Sequence, residues 1–314
     1  MKKENGGIDN VGIVNNILYN KCRQEQKIVE YTYKMNLQMI EDYKIWLAEE
    51  EKSKNTIKKY IRDILAFYRF ANGGVNEEKV ISKTQVMEYK EYLEKKYAVS
   101  SVNSMLVAIN RFLEYRGWNN CRVRLIKCQR CIFRDEQREL TKDEYRRLVD
   151  AARKEKNYRL AMIMETICAT GIRVSELEFI TVEAAQKGRA DINCKGKHRV
   201  ILLPDKLRKA LVRYALEKNI CSGYIFRTKT GKPLDRSNIW HDMKGLCKIA
   251  GVEPTKVFPH NLRHLFARIF YELEKNIVHL ADILGHSSID TTRVYTISTG
   301  TEHVREINRM GLVV

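Results

Sequence analysis

The sequence predicts a mainly α-helical chain of two domains, and three observations carry this prediction. The length of 314 residues exceeds the roughly 150 residues that are typical of one domain. Only 4 prolines and 16 glycines occur, which favours helices over a turn-rich β sandwich. Apolar residues recur every three or four positions along most of the chain, as on the buried face of a helix. A hydrophobic content of 44% excludes a disordered chain.

The first part of the chain predicts four amphipathic helices between Leu37 and Tyr115. A helix should begin after Ser53 or Asn55 and end at the glycines after Asn72. The next helix opens with a capping-box pattern, in which a Gln follows Ser82 by three residues. These apolar stripes predict a helical bundle and nothing more specific.

The second part predicts further helices around one small β element. The capping box from Thr141 to Glu144 opens this part, and Gly171 closes a buried helix. Two short runs, 189–194 and 199–203, predict a β-hairpin, which is the only clear strand signal of the sequence. Helices are predicted again around 207–216, 237–250, 260–273 and 277–284, and a last amphipathic stretch lies near 302–310.

The charge of the chain indicates a polyanionic partner. Lys and Arg outnumber Asp and Glu by 57 to 39, a net charge of +18. The excess is spread: through Asp135 there are 25 basic and 17 acidic residues, and after it 32 and 22. Two basic domains suggest nucleic acid gripped from two sides. No apolar run approaches the roughly 18 residues of a membrane span, and no signal peptide is readable, so we expect a cytoplasmic protein.

The eight cysteines are expected to be reduced thiols, as is usual for a cytoplasmic protein. Cys128 and Cys131 form a C-x-x-C pair with Cys121 nearby, a pattern that suggests zinc. A fourth ligand at a suitable spacing is missing, so we expect no metal site.

A basic segment separates the two parts. Between Arg116 and Arg134 there are six basic residues and no acidic one. Such a run is either a solvated linker or a linker that lies along a phosphate backbone, and the basic domains on both sides favour the second interpretation. The candidate DNA contacts are Arg122, Arg124, Lys127 and Arg130.

Three segments of the second part carry residues suited to phosphate chemistry. Arg173 lies within Gly171-Ile-Arg-Val-Ser-Glu-Leu177, and His260 and Arg263 lie within His260-Asn-Leu-Arg-His264. The third segment is Leu284-Gly-His286, with Tyr295 nine residues after that histidine. His260 and Arg263 are three residues apart on a predicted helix and therefore share a face. Each segment alone is a weak signal.

Together the three segments resemble the tyrosine recombinase family, also called the phage integrase family, whose Xer-like members are nearest in size. The resemblance covers Leu140 to about Thr296, and it extends more loosely to the bundle through Asn55-Thr56-x-x-x-Tyr60. It implies an N-terminal SAM-like core-binding helical bundle and a mostly α catalytic domain with a small β-hairpin. The implied divisions are an N-terminal extension (1–30), the core-binding bundle (31–117), a basic linker (118–136) and the catalytic domain with its C-terminal helix (137–314).

The resemblance also implies a reaction. In this family a tyrosine, here Tyr295, attacks a DNA phosphodiester and forms a covalent 3′-phosphotyrosine. Two guanidinium groups that stay charged can bind the nonbridging oxygens of the transition state. The implied catalytic residues are Arg173, Lys195, His260, Arg263, His286 and Tyr295. His260 would assist proton transfer, and His286 would donate a hydrogen bond to the phosphate. Glu176 would orient Arg173 or a neighbouring backbone group rather than act on the substrate.

The hairpin tip departs from the family pattern, and the sequence lacks the usual cofactor-binding motifs. The predicted hairpin tip, Cys194-Lys-Gly-Lys-His-Arg199, is shorter than in relatives, so Lys197 competes with Lys195 as the general acid for the leaving 5′ oxygen. No phosphate-binding G-x-x-x-x-G-K-[ST] loop is present, and no carboxylate cluster for magnesium is evident. We therefore expect no cofactor.

The resemblance implies double-stranded DNA as the substrate and a tetramer of the chain on two DNA sites. The outcome would be integration, excision, inversion or resolution, and the sequence does not choose among them. A relaxing enzyme like a type IB topoisomerase is one alternative. A DNA-binding module that has lost catalysis is another, which the full set of motif residues argues against.

Overall fold

The computed structural model describes residues 31–71, 78–127, 136–194, 197–295, 305 and 308–311. The chain divides into two compact units, Met1–Gln129 and Arg130–Val314. The architecture is mainly helical, as the sequence predicts. Within the described ranges, no helix is long and apolar enough to cross a membrane.

The first unit is a four-helix bundle with one short strand pair. Its elements are β1 (Thr32–Met35), α1 (Leu37–Glu49), α2 (Lys54–Phe70), β2 (Lys79–Ser82), α3 (Lys83–Lys96) and α4 (Val99–Tyr115). The apolar stripes meet in one core, where Tyr43 packs edge-on against Phe112 at 5.3 Å between ring centroids. The four predicted helices are thus confirmed.

Two details of the bundle differ from the sequence prediction. Strands β1 and β2 pair antiparallel, with Thr32 opposite Ser82, and this sheet was not predicted. The capping box of α3 is only half formed. The Ser82 hydroxyl accepts the Gln85 N–H at 3.3 Å, but the side-chain oxygen of Gln85 is buried without a hydrogen-bond partner in the described structure.

An extended segment, residues 122–127, lies against α3 and α4, and we call it the strap. The side-chain amides of Asn103 and Asn110, two turns apart on α4, each bind its backbone twice. Asn110 bonds the N–H and the carbonyl of Val123 at 3.0 and 2.8 Å, and Asn103 bonds those of Ile126 at 2.8 and 2.9 Å. Lys90 on α3 donates to the carbonyl of Arg124 at 3.2 Å. The first part of the basic linker is therefore attached to the bundle.

The second unit is helical except for one hairpin. Its α-helices and strands are α5 (Lys142–Lys154), α6 (Tyr158–Thr170), α7 (Val182–Lys187), β3 (Arg189–Cys194), β4 (Lys197–Leu202), α8 (Asp205–Glu217), α9 (Arg236–Gly245), α10 (Cys247–Ala250), α11 (Pro259–Glu274), α12 (Ile277–Leu284) and α13 (Ile289–Arg293). Helix α6 is buried along most of its length, and α5 and α11 pack against it. Short 3₁₀ turns include Val174–Phe179, directly after α6.

The predicted boundaries in this unit match the structure closely. Thr141 and Glu144 form the full capping box of α5, with both reciprocal hydrogen bonds. Gly171 ends α6 with φ of +63°, the left-handed conformation that favours glycine. The hairpin is confirmed and pairs Cys194 with Lys197. The predicted amphipathic stretch near 302–310 falls mostly outside the described residues.

Candidate functional site

Arg173 lies at the start of the 3₁₀ turn that follows α6, where Glu176 holds it. The Glu176 carboxylate accepts the backbone N–H of Arg173 at 2.9 Å and a guanidinium N–H of the same residue at 2.9 Å. The other end of the guanidinium lies 3.5 Å from the carbonyl of Gly285. The Arg173 side chain is 38% exposed, so its remaining donors are available to a ligand.

Arg199 on β4 is the second partner of Glu176. Its guanidinium donates to Oε2 of Glu176, the same oxygen that accepts the Arg173 backbone N–H, and, at 3.1 Å, to the carbonyl of Ile283 on α12. Burial alone would raise the pKa of Glu176. The Arg173 backbone N–H and the two guanidinium groups outweigh burial and hold this pKa below its usual value. Sequence reasoning missed Arg199, because no motif marks it and only the pairing of β4 brings it to the site.

Arg263, on the second turn of α11, is the most enclosed charge of the unit, with 1% of its surface exposed. Its guanidinium donates to the carbonyl of Gly171, to that of Leu284 at 2.8 Å, and to Nε2 of His286 at 2.9 Å. Burial and the nearby Arg173 lower its pKa to about 10, so it remains charged at neutral pH. Its Nε lacks a partner within the described ranges.

His286 follows the left-handed Gly285 that ends α12. Its Nδ1 lies 2.8 Å from the hydroxyl of Thr292. Burial and the three nearby arginines lower the pKa of His286 to about 4, so the ring is neutral at pH 7. In this arrangement Nε2 faces a donor of Arg263. A hydrogen bond from Nε2 to a phosphate, the role implied by the family resemblance, would require the proton on Nε2 and would therefore compete with this contact to Arg263.

Tyr295 directly follows α13, and only 5% of its surface is exposed. Its ring packs edge-on against His264 at 4.9 Å and parallel to His286 at 6.1 Å between centroids. Residues of α11 and α12, Ala267, Leu280 and Leu284, form the apolar cluster around it. Tyr295 also lies close enough to Arg263 to influence the pKa of that guanidinium. The tyrosine is thus held inside its own chain's site.

The histidines of α11 form a pair. His260 stands on the first turn and its ring lies 4.6 Å from that of His264. Burial, with Arg263 and Arg173, lowers the pKa of His260, so it is neutral at pH 7 and able to accept a proton. Burial also lowers the pKa of His264, to about 4. Sequence analysis gave His264 no role, although its position four residues after His260 places both on one helix face.

The remaining candidates are the hairpin lysines and the basic residues of the linker, and the structure describes only some of them. Lys195 lies outside the described residues, as does Arg130, and nothing is described of the side chain of Lys197. Arg122, Arg124 and Lys127 are exposed on the strap. Arg122 lies 3.4 Å from Glu114 and therefore shares its charge with that carboxylate.

A metal centre has no support in the part of the chain that the structure describes. No group of three or more His, Cys, Asp or Glu side chains is arranged there to hold a metal ion. Cys128 and Cys131 lie outside this part. Cys121 is buried, with its sulfur 3.9 Å from the carbonyl of Tyr31.

The site therefore combines a tyrosine hydroxyl, two arginines fixed by backbone carbonyls and a carboxylate, and three neutral histidines. Such a site can hold a phosphate diester and accept the proton of a phenol. On a helical domain joined to a basic bundle, this arrangement is suited to tyrosine chemistry on a phosphodiester.

Comparison with known proteins identifies the family. The phage integrase family matches residues 138–302, and the N-terminal SAM-like domain of phage integrases matches residues 40–120. The first match alone spans more than half of the chain. The chain belongs to the phage integrase family, the tyrosine-type site-specific recombinases that cleave and rejoin DNA.

Relatives extend over most of the chain. It is 28% identical to the tyrosine recombinase XerA of Pyrococcus furiosus over 277 residues, which cover 86% of this chain and 92% of that protein. It is 26% identical to XerD of Vibrio vulnificus over 281 residues, covering 84% and 91%. Among solved structures, a lambda integrase tetramer bound to a Holliday junction has the same fold, with a TM-score of 0.67 and 17% identity over 93% of this chain and 88% of that one. A lambda integrase dimer bound to a core site gives 0.66 and 18% over 83% and 95%.

Proposed function

We propose that this chain exchanges strands between two DNA sites with Tyr295 as the nucleophile. The observation that carries the proposal is the convergence of Arg173, Arg263, His286 and Tyr295, which come from the three motif segments of the sequence. The relatives named as tyrosine recombinases support it, as do the lambda integrase structures bound to DNA.

The proposed first step is an attack of the Tyr295 hydroxyl oxygen on the scissile phosphorus. A 3′-phosphotyrosine bond forms, the bond to the 5′ oxygen breaks, and that oxygen takes up a proton and leaves as a 5′ hydroxyl. A 5′ hydroxyl of the partner strand then reverses the same chemistry. No outside energy source is needed because one phosphodiester is exchanged for another.

Arg173 and Arg263 would bind the nonbridging oxygens. Arg173 has exposed donors that are available to a phosphate, and Arg263 has one buried N–H, at Nε, without a partner among the described residues. Neutral His260 would take the proton of Tyr295, directly or through His264. Lys195, or Lys197 in its place, would protonate the leaving 5′ oxygen.

We also propose that four copies of the chain act on two double-stranded DNA sites through a Holliday junction. The structure of a lambda integrase tetramer bound to such a junction supports this assembly. The proposed divisions remain 1–30, 31–117, 118–136 and 137–314. The DNA substrate and the four free cysteines among the described residues fit a cytoplasmic protein.

The test is a covalent trapping experiment. A duplex is first selected by the protein from a random-sequence pool and then nicked beside the cleavage point, so that the released fragment is lost and the adduct accumulates. The wild-type chain should give a covalent adduct with the DNA fragment whose new 3′ end lies at the cleavage point. Tyr295→Phe should bind the same duplex and give none, because only the hydroxyl is removed. An undiminished adduct from Tyr295→Phe would disprove the assignment of the nucleophile.

A further inference from the structure

Thr292 connects three residues of the site, and no motif of the sequence assigns it a role. Its side chain is fully buried. Its hydroxyl lies 2.8 Å from Nδ1 of His286, and its backbone carbonyl accepts the N–H of Tyr295 at 2.9 Å. It therefore contacts the nucleophile's backbone and the ring that binds Arg263.

The directions of these hydrogen bonds follow from elementary chemistry. A guanidinium has donors and no acceptor, so the 2.9 Å contact between Arg263 and Nε2 of His286 requires a lone pair on Nε2. In a neutral imidazole the proton must then sit on Nδ1, which donates to the Thr292 hydroxyl oxygen. The chain of bonds runs in one direction, from Arg263 to His286 to Thr292.

We propose that Thr292 is a positioning residue that holds His286 as an acceptor for Arg263 and ties both to the turn that carries Tyr295. This inference rests on the proposed function of Tyr295 and Arg263. His286 then acts by orienting the Arg263 guanidinium in the plane in which it meets the phosphate. Without the hydroxyl, the Nδ1 proton would be buried without an acceptor among the described residues, which weakens the preference for this tautomer. A proton on Nε2 would face an arginine N–H, and the ring and the guanidinium would separate.

The test begins with the tautomer of His286 in the full-length chain. Nitrogen NMR of protein labelled with ¹⁵N-histidine distinguishes a protonated Nδ1 from a protonated Nε2, and His286→Gln assigns the resonance. The wild-type ring should carry its proton on Nδ1. A proton on Nε2 would overturn the proposal without any variant.

Three variants complete the experiment. Thr292→Val keeps the shape of the side chain and removes the hydroxyl, Thr292→Ser keeps the hydroxyl, and Thr291→Val makes the same change at the exposed neighbour. Thr292→Val should lose the Nδ1–H tautomer and cut the nicked duplex about 10- to 100-fold more slowly, as is usual when the orienting partner of a functional histidine is removed. Affinity for the duplex should be unchanged. The other two variants should behave as the wild type.

Each other outcome counts against the proposal. Retention of the Nδ1–H tautomer in Thr292→Val, or normal cleavage despite its loss, would overturn it. Equal damage from Thr292→Ser would show that the methyl group matters and would overturn it too. If the wild-type chain forms no adduct at Tyr295, the proposed function fails, while the tautomer measurement still shows whether Thr292 sets the state of His286.

Discussion

Glu176 lies between two guanidinium groups and fixes both. Its carboxylate is 8% exposed, and each of its oxygens is used by Arg173 or Arg199. A buried carboxylate with one partner removed leaves charge uncompensated, which is costly in a poorly hydrated place. The arginine that sequence analysis identified therefore depends on one that it did not identify.

Arg199→Met should slow cleavage of the nicked duplex by about 10- to 100-fold, less than the roughly 100- to 1000-fold cost of removing a catalytic donor, because Arg173 itself stays in place. Duplex affinity should change less than threefold, on the order of the effect of one surface charge. Arg189→Met, an exposed arginine on the same hairpin, is the matched control. Combining Arg199→Met with Arg173→Ala should cost little beyond Arg173→Ala alone. A full multiplicative loss in the double variant would show that Arg199 acts independently of Arg173.

Because the pKa of His286 is lowered in the folded chain, we predict that the free energy of unfolding decreases as the pH falls. Its folded-state pKa of about 4 lies below the value of about 6.5 in an unfolded chain, so the unfolded chain binds the proton first as the pH falls. The contribution of neutral His286 is therefore present above pH 6.5 or so and is lost on the way to pH 4, by at most about 1.4 kcal/mol per pH unit.

Denaturant unfolding at a series of pH values measures this loss. In His286→Asn the free energy of unfolding should fall less steeply between pH 6.5 and pH 4 than in the wild type. Substitution of the exposed His241 should leave the slope as it is. Identical slopes in all three proteins would mean that His286 titrates normally in the folded chain.

At the scale of elements, the sequence predicted the helices well and the small sheets unevenly. A helix can be predicted from the spacing of apolar residues within one segment. The predicted span 277–284, for example, is the observed α12. The pair β1–β2 was missed because each strand has four residues and Met35 and Lys79 lie 44 positions apart in the sequence. Arg199 and Thr292 were missed for a related reason. Their hydrogen bonds to Glu176 and to His286 are tertiary contacts, which no periodic pattern within one segment reveals.

We expect the hairpin of β3 and β4 to supply the general acid, and Lys195 and Lys197 compete for this role. If Lys195 protonates the leaving oxygen, Lys195→Ala should cleave ordinary DNA poorly. A duplex with sulfur at the 5′ bridging position should restore cleavage, because a thiolate leaves without a proton. Lys197→Ala should cleave both duplexes at wild-type rates. Rescue of Lys197→Ala in place of Lys195→Ala would reverse the assignment.

At the scale of the whole molecule, the strap changes how the basic linker is understood. Its backbone is bonded to the bundle through Asn103 and Asn110, so Arg124 and Lys127 are presented from a fixed surface. Groups fixed in place lose less conformational entropy when they bind a phosphate. This observation favours contact with DNA over a solvated tether, at least for the strap.

The salt dependence of DNA binding tests this interpretation. Each phosphate contact releases counterions, so replacing Arg122, Arg124, Lys127 and Arg130 with serine should flatten the slope of log affinity against log salt by roughly three to four. Sequence preference should hardly change, because phosphate contacts position a protein and base contacts specify its site. The control removes four exposed lysines of the same unit, Lys34, Lys44, Lys52 and Lys95. Equal slopes in the linker variant and the parent would leave the linker solvated.

Gly285 has no side chain, and yet the placement of the catalytic side chains depends on it. Its φ is +63°, and a β-carbon there would collide with the side chain of Arg199. Displacing Arg199 would in turn free Glu176 from one of its two partners. A gene duplicate with alanine at this position would keep every motif tyrosine, histidine and arginine and yet encode an enzyme that cleaves DNA more slowly. Activity in such a duplicate can begin to fall through one added methyl group, although a comparison of the catalytic residues would show no difference.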